Sequence, residues 1–214
     1  SSDDLAKMID FTVQRYPKKS LAPVGFSLSG NVLLKYLGEG RKVPGNISGA
    51  LAVNPPVDLR VASDIISRKW SCALFNKYYM RLIRNQAVAL VKQFPSAFNP
   101  LKNLKTIWDF DVSYTAPAGG FKDVDDYYDQ SSSKHFLQGI KTPTSILSAE
   151  DDPFVPGYLF DQVVLSEKVA LHKPENGGHM GYIARHATSH GDRRWMDYAV
   201  LEWIRELHES EGNP

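Results

Sequence analysis

Three short stretches hold side chains whose types and order could carry out nucleophilic substitution at a carbonyl carbon. The first is Gly25-Phe26-Ser27-Leu28-Ser29-Gly30, where an apolar run gives way to small residues and then to a helical pattern. A serine hydroxyl is a weak nucleophile at neutral pH, so it needs a base to take its proton and a backbone that exposes its oxygen. A sharp strand-to-helix turn exposes it when the residues two before and two after are small, as Gly25 and Ser29 are. The helix start would also bring the Leu28 N–H and a positive dipole end to the place where an oxyanion forms, which makes Leu28 the candidate oxyanion-hole residue. Read alone, the stretch serves equally as a turn in which Ser27 or Ser29 caps the next helix.

The other two stretches decide between those readings. Glu150-Asp151-Asp152-Pro153-Phe154-Val155-Pro156 puts three carboxylates directly after a predicted strand, at the end of a sheet where open α/β folds bind ligands. Without partners it would be a solvated acidic turn. Of the six histidines, 135, 172, 179, 186, 190 and 208, only His179 sits in a glycine-flanked loop, Asn176-Gly177-Gly178-His179-Met180-Gly181. Glycines let that backbone carry an imidazole across the top of a sheet. The order serine, acid, histidine is the one a strand-turn-helix nucleophile requires. His186 and His190 are four apart but lack an H-E-x-x-H frame, so they read as a surface pair, with no metal site.

The elements that must position these groups follow from periodicity. Leu5, Met8, Ile9, Phe11, Thr12 and Val13 predict a helix over about Asp3–Tyr16, closed by Pro17. Strands are expected at Leu21–Phe26, Ile47–Val53, Thr144–Ala149 and Val169–His172. Pro23 is awkward in the first of them, because it removes a ladder donor. A helix is expected from Gly30 to about Gly38, a long helical stretch over Val61–Phe94, and a last helix over Arg194–Leu207. The long stretch carries Trp70, Phe75, Tyr78, Tyr79, Arg81, Arg84 and Lys92, read first as packed helices with solvated charges and second as a membrane-touching surface. Strand and helix alternate, so the fold class is α/β with a mostly parallel sheet and helices on both faces.

Composition narrows the partners. With 25 basic and 24 acidic residues, the net charge of +1 offers no broad field for nucleic acid or an anionic membrane. The 214 residues, 43% hydrophobic, suffice for one sizeable core. The single cysteine, Cys72, allows no intrachain disulfide and favours a reducing compartment. The start at Ser1, without methionine, reads as a cut end, leaving cytoplasmic residence and anchoring through a preceding segment both open.

The stretches VGFSLSGN, NPPVDL, DVSYTAPAGGFKDVDDYYDQSS, PTSILSAEDDPFVP and ENGGHMGY resemble the α/β-hydrolase superfamily, and within it AB hydrolase family four, the YheT-like esterases. The resemblance spans nearly the whole chain. It implies Ser27 as nucleophile, His179 as base and Asp152 as acid, because the D-x-x-V-P phrasing from Asp152 resembles the acid loop; Asp151 is the reserve. It also implies hydrolysis of acyl esters and lipids without metal or organic cofactor. The expected architecture is one α/β-hydrolase domain over 1–214, lacking its N-terminal strands, with a helical cap-like insertion over about 58–130 whose aromatics would form an acyl-binding wall. Two departures stand out. Ser29 replaces the first of the family's paired glycines, and the family's N-terminal His-Gly oxyanion loop has no counterpart before Ser1. The alternative is therefore a catalytically impaired hydrolase-like fragment or pseudo-enzyme that binds lipid or a protein partner, with the missing N-terminal half of its own fold as the first partner. A further alternative is acyl transfer to an acceptor other than water.

Overall fold

Ser1 starts the first helix by accepting a hydrogen bond from the Asp4 N–H while the Asp4 carboxylate reaches back to the Ser1 amino group, a reciprocal cap. The computed structural model describes residues 1–93 and 104–212. Its chain divides into two units, Ser1–Val57 with Ser133–Pro214, and Asp58–Ser132.

The first unit is built on a parallel sheet of four strands in the order β1 (Val24–Phe26), β2 (Ala50–Val53), β3 (Thr144–Leu147), β4 (Val169–His172). The register pairs Gly25 with Ala52, Ala52 with Ile146, and Ile146 with Leu171. Every residue of β2 is buried, which explains its unbroken apolar sequence; a strand covered on both faces has no reason to alternate. The strand expected over Leu21–Phe26 is reduced to Val24–Phe26, because Pro23 has no N–H to donate. Pairing resumes across it as a single bridge from Leu21 to Ile47. Helix α1 (Ser2–Arg15) packs on α2 (Leu28–Gly38), whose Leu33, Leu34, Tyr36 and Leu37 are all buried. On a second cluster, Leu51, Val53, Leu147, Ala149 and Tyr182 are covered by Trp195, Met196, Val200 and Trp203. Those four belong to the C-terminal helix (Trp195–Gly212), numbered α8 below, whose Trp203 indole donates to Ser145 Oγ at 3.1 Å. In the described sheet β1 pairs on one side only.

The second unit is helical: α3 (Leu59–Arg68), α4 (Ala73–Gln93), α5 (Ile107–Phe110), α6 (Ala116–Ala118) and α7 (Val124–Ser131), the C-terminal helix following as α8. The long helical stretch expected over Val61–Phe94 is broken at Lys69, whose extended backbone ends α3 before a 3₁₀ turn at Trp70–Cys72. No proline or glycine there announces the break. Phe94 lies outside the described residues, as do positions 95–103 of the expected insertion. Trp70 is 88% exposed and Tyr78 58%, so neither belongs to the core of this unit. Its core instead holds a polar chain. The Tyr128 hydroxyl donates to Asp111 Oδ2 at 2.7 Å and lies 2.8 Å from Ser63 Oγ, and Thr115 donates to Asp111 Oδ1 at 2.7 Å. Among the described residues, no helix is long and apolar enough to cross a membrane.

Asp111 gives this unit a pH dependence. Burial raises its pKa, opposed by the hydrogen bonds from Thr115 and Tyr128. The folded unit therefore holds this proton more tightly than the unfolded chain does. Below the ordinary carboxylate range both states are protonated and nothing is lost; as pH rises through that range toward the folded pKa, stability falls. Urea melts of the chain between acid and neutral pH should show this decline, and Asp111→Asn should flatten it. Identical pH profiles for the two proteins would refute the assignment.

Candidate active site

At the end of β1 the backbone turns so sharply into α2 that Ser27 adopts φ 50° and ψ −123°, a conformation that disfavours every residue with a Cβ. Its N–H is anchored on the Val53 carbonyl at 2.8 Å. The turn closes because Gly25 and Gly30 touch: a Cβ on Gly25 would lie 2.7 Å from Gly30 Cα and 2.8 Å from its nitrogen, backbone atoms that cannot yield. A Cβ on Gly30 would in turn meet the Gly25 oxygen at 3.0 Å and Pro55 at 3.1 Å. Ser29 shares in this closure through its backbone, its carbonyl oxygen lying 2.8 Å from the same Cβ position. The residue itself is exposed, so the approach to Gly25 is made by the Ser29 backbone together with Gly30, and a serine stands where the family has the first paired glycine.

Ser27 occupies the N-cap position of α2, yet its side chain makes no capping bond. Its Oγ lies 2.9 Å from His179 Nε2 instead. The other ring nitrogen, Nδ1, lies 2.7 Å from Asp152 Oδ2. An ionised carboxylate only accepts, so Nδ1 carries the proton, and Nε2 is left as the acceptor for the serine hydroxyl. His179 is held in place by the Phe154 ring, whose centroid is 4.1 Å from the imidazole.

Asp152 is buried, and its two oxygens meet four donors: the N–H groups of Phe154 at 3.1 Å and Val155 at 2.9 Å on Oδ1, and Asn54 Nδ2 at 2.6 Å with His179 on Oδ2. Asp151, the reserve acid, points elsewhere. Its Oδ1 accepts from the N–H groups of Gly177 at 2.8 Å and Gly178 at 2.7 Å, fastening the glycine loop rather than the imidazole. That loop is tight. Gly178 sits at φ 57°, and a Cβ on Gly177 would come within 2.3 Å of the Tyr182 ring. Leu28 exposes its side chain and sits at the first position of α2, among the first-turn amides that have no partner within their own helix.

Two residues of the site escaped the motif reading. Asn54, fully buried at φ 45°, donates to Asp152 and also to the Gly178 carbonyl at 3.1 Å, while its own Oδ1 accepts from the Tyr182 hydroxyl. Both lie at the edges of the quoted stretches, NPPVDL and ENGGHMGY, and a buried asparagine beside a proline pair was the available signal. His172 ends β4, and His190 meets Tyr198 edge to face. Among the described residues, no group of three histidine, cysteine or acidic side chains could hold a metal ion.

The arrangement supplies a hydroxyl with a base behind it, a buried anion behind the base, and a helix N-terminus beside the hydroxyl. This is the equipment for attack on a carbonyl with transient negative charge on its oxygen.

No protein-family model matches the chain. Among proteins with curated names, it is 29% identical to "Monoacylglycerol lipase" of Saccharomyces cerevisiae, over 97% of this chain and 47% of that protein. It is 27% identical to YheT of Escherichia coli, over 99% of this chain and 62% of that one, and 26% identical to "Monoacylglycerol lipase ABHD2" of Homo sapiens, over 98% and 53%. The chain spans about half the length of the curated relatives it matches. Among solved structures, the monoacylglycerol lipase of Paleococcus ferrophilus superposes with a TM-score of 0.50 at 17% identity, covering 97% of this chain and 76% of that one. A structure from the report on the metagenome-derived lipolytic enzymes LipS and LipT superposes with a TM-score of 0.51 at 13% identity, covering 97% and 72%. The parallel sheet, the serine turn and these likenesses make this an α/β-hydrolase fold, and the chain is similar over nearly its whole length to YheT-like proteins, as its motifs imply.

Proposed function

We propose that this chain acts as a serine carboxylic-ester hydrolase on acyl esters, lipids among them. The observation that carries the reading is the continuous hydrogen-bonded chain from Ser27 Oγ through both nitrogens of His179 to Asp152, with the serine on a strained turn at a helix start. In this mechanism Ser27 Oγ bonds to the acyl carbon as His179 Nε2 takes the hydroxyl proton. Negative charge gathers on the carbonyl oxygen beside the Leu28 N–H, while Asp152 stabilises the imidazolium. Collapse breaks the ester C–O bond, and His179 returns the proton to the departing alcohol, leaving an acyl group on Ser27. Water, deprotonated by His179, then releases the acid and restores the serine. Two relatives named monoacylglycerol lipase support a monoacylglycerol as a substrate class to try first.

The test is release of fatty acid from a monoacylglycerol and of p-nitrophenol from p-nitrophenyl butyrate, with mass spectrometry of the trapped acyl adduct. An adduct on the Ser27 peptide is the expected result; turnover of neither ester would overturn the reading. Added ethanol that diverts product to ethyl ester would assign acyl transfer instead of hydrolysis. The one-sided pairing of β1 favours a second reading, in which the domain works only when a further stretch of its own fold pairs along that edge, or serves as a pseudo-enzyme that binds lipid or protein.

A further inference from the structure

We infer that Asn54 is a positioning residue that holds the acid and the loop of the base in register, and that Tyr182 braces its amide through the side-chain oxygen. This inference rests on the ester-hydrolase reading of the site. The Asn54 amide has two N–H bonds and uses both. One donates to Asp152 Oδ2 at 2.6 Å, and the other to the carbonyl of Gly178 at 3.1 Å, the residue just before His179. A single planar group thus spans the two loops that must meet if Nδ1 is to reach Oδ2.

Three features fix that group in place. The Asn54 N–H donates to the Leu147 carbonyl at 2.6 Å, which ties the residue to the end of β3, the strand that leads to Asp152. Its φ of 45° is a conformation that asparagine tolerates better than most residues with a Cβ. Its side-chain oxygen accepts from the Tyr182 hydroxyl. Were the amide turned over, its oxygen would face the Asp152 carboxylate and the Gly178 carbonyl, both acceptors, so those two groups enforce the orientation in which Oδ1 meets the Tyr182 hydroxyl. Tyr182 comes from the far end of the histidine loop and packs in the cluster of Leu51, Val53, Leu147 and Ala149, a rigid base for that hydroxyl.

The consequence for the reaction is directional. Oδ2 of Asp152 serves two donors in fixed directions, so it cannot swing away from Nδ1 without breaking the bond to Asn54. Asn54 makes no contact with Ser27; its effect passes through Asp152 and His179.

The experiment uses Asn54→Ala and Tyr182→Phe in the full chain, each checked for folding by circular dichroism. Steady-state kinetics on p-nitrophenyl butyrate give kcat and KM, and proton NMR follows the low-field signal of the His179 Nδ1–H. Asn54→Ala should lower kcat by about 10- to 100-fold with little change in KM, since misorientation acts on the reacting geometry and not on ester binding. The Nδ1–H signal should move and broaden. Tyr182→Phe, which keeps the ring and loses only the hydroxyl, should change both in the same direction by less. A folded Asn54→Ala with unchanged kcat and unchanged Nδ1–H signal would overturn the inference. Should Asn54→Ala fail to fold, an unaltered kcat and signal in Tyr182→Phe would do so. A wild-type chain that turns over no ester would sink the hydrolase reading separately, because the NMR signal reports the hold on the acid and base without turnover.

Discussion

Ser27→Ala should abolish covalent capture of the chain by a fluorophosphonate, while the unaltered chain is labelled at that serine and nowhere else. The loss is expected to be complete within detection, because alanine has no oxygen to attack phosphorus. Removal of the nucleophile in enzymes of this chemistry costs about 10⁶-fold in kcat. A control separates chemistry from folding. Ser27 is held at φ 50°, which disfavours alanine as much as serine, whereas glycine adopts it freely. Ser27→Gly should therefore be equally inert toward the probe yet more stable than Ser27→Ala by about 1 kcal/mol, measured by urea unfolding. Labelling that survives in Ser27→Ala would remove this serine from the mechanism, and labelling of neither protein would count against an assembled site.

The second large effect belongs to Asp152→Asn. The carboxylate faces four donors, two backbone N–H groups on one oxygen and the Asn54 amide with the His179 Nδ1–H on the other. A carboxamide offers only one acceptor atom, so either orientation turns an NH₂ group against donors. If the NH₂ faces His179, Nδ1 becomes the acceptor and the proton moves to Nε2, where it can no longer receive one from Ser27. A tautomer error of this kind costs about 10⁴-fold in kcat. Stability should fall as well, by about 1 to 3 kcal/mol for buried donors left unmatched. Asp151→Asn is the contrasting case. Its amide oxygen can still accept from Gly177 and Gly178, so activity on p-nitrophenyl butyrate should fall far less. Equal losses in the two variants would contradict the assignment of Asp152 to the imidazole.

The three side chains that meet at the site were legible because each sits in a local pattern with its own physical reason: a serine between small residues, carboxylates after a strand, a histidine among glycines. What the sequence could not display is adjacency across the sheet. Asn54 follows β2 and reads as a residue before a proline pair; its importance exists only because β2 lies beside β3, so that it reaches an acid 98 positions away. The same holds for Gly30, which the spacing of small residues around Ser27 does not single out and which the helix turn brings against Gly25 beside the Ser29 carbonyl. Pro23 signalled its own effect, and the first strand is short for the reason proline gives. The break at Lys69 has no such signal, and the periodicity over Val61–Phe94 accordingly suggests a more continuous helical stretch than the one that forms.

The hydrogen bonds that join Ser27, Asp152 and His179 link positions 152 and 27 residues apart, across parallel strands whose every connection is a crossover. Contacts of that range form late in folding, since the entropy of closing the loops is lost before the pairing rewards it. Helices α1 and α2 can form from local contacts while the serine still lacks its base. In a refolding experiment, recovery of reactivity toward the probe should therefore lag recovery of helical circular dichroism, and the site itself becomes a clock for when the last strand finds its register.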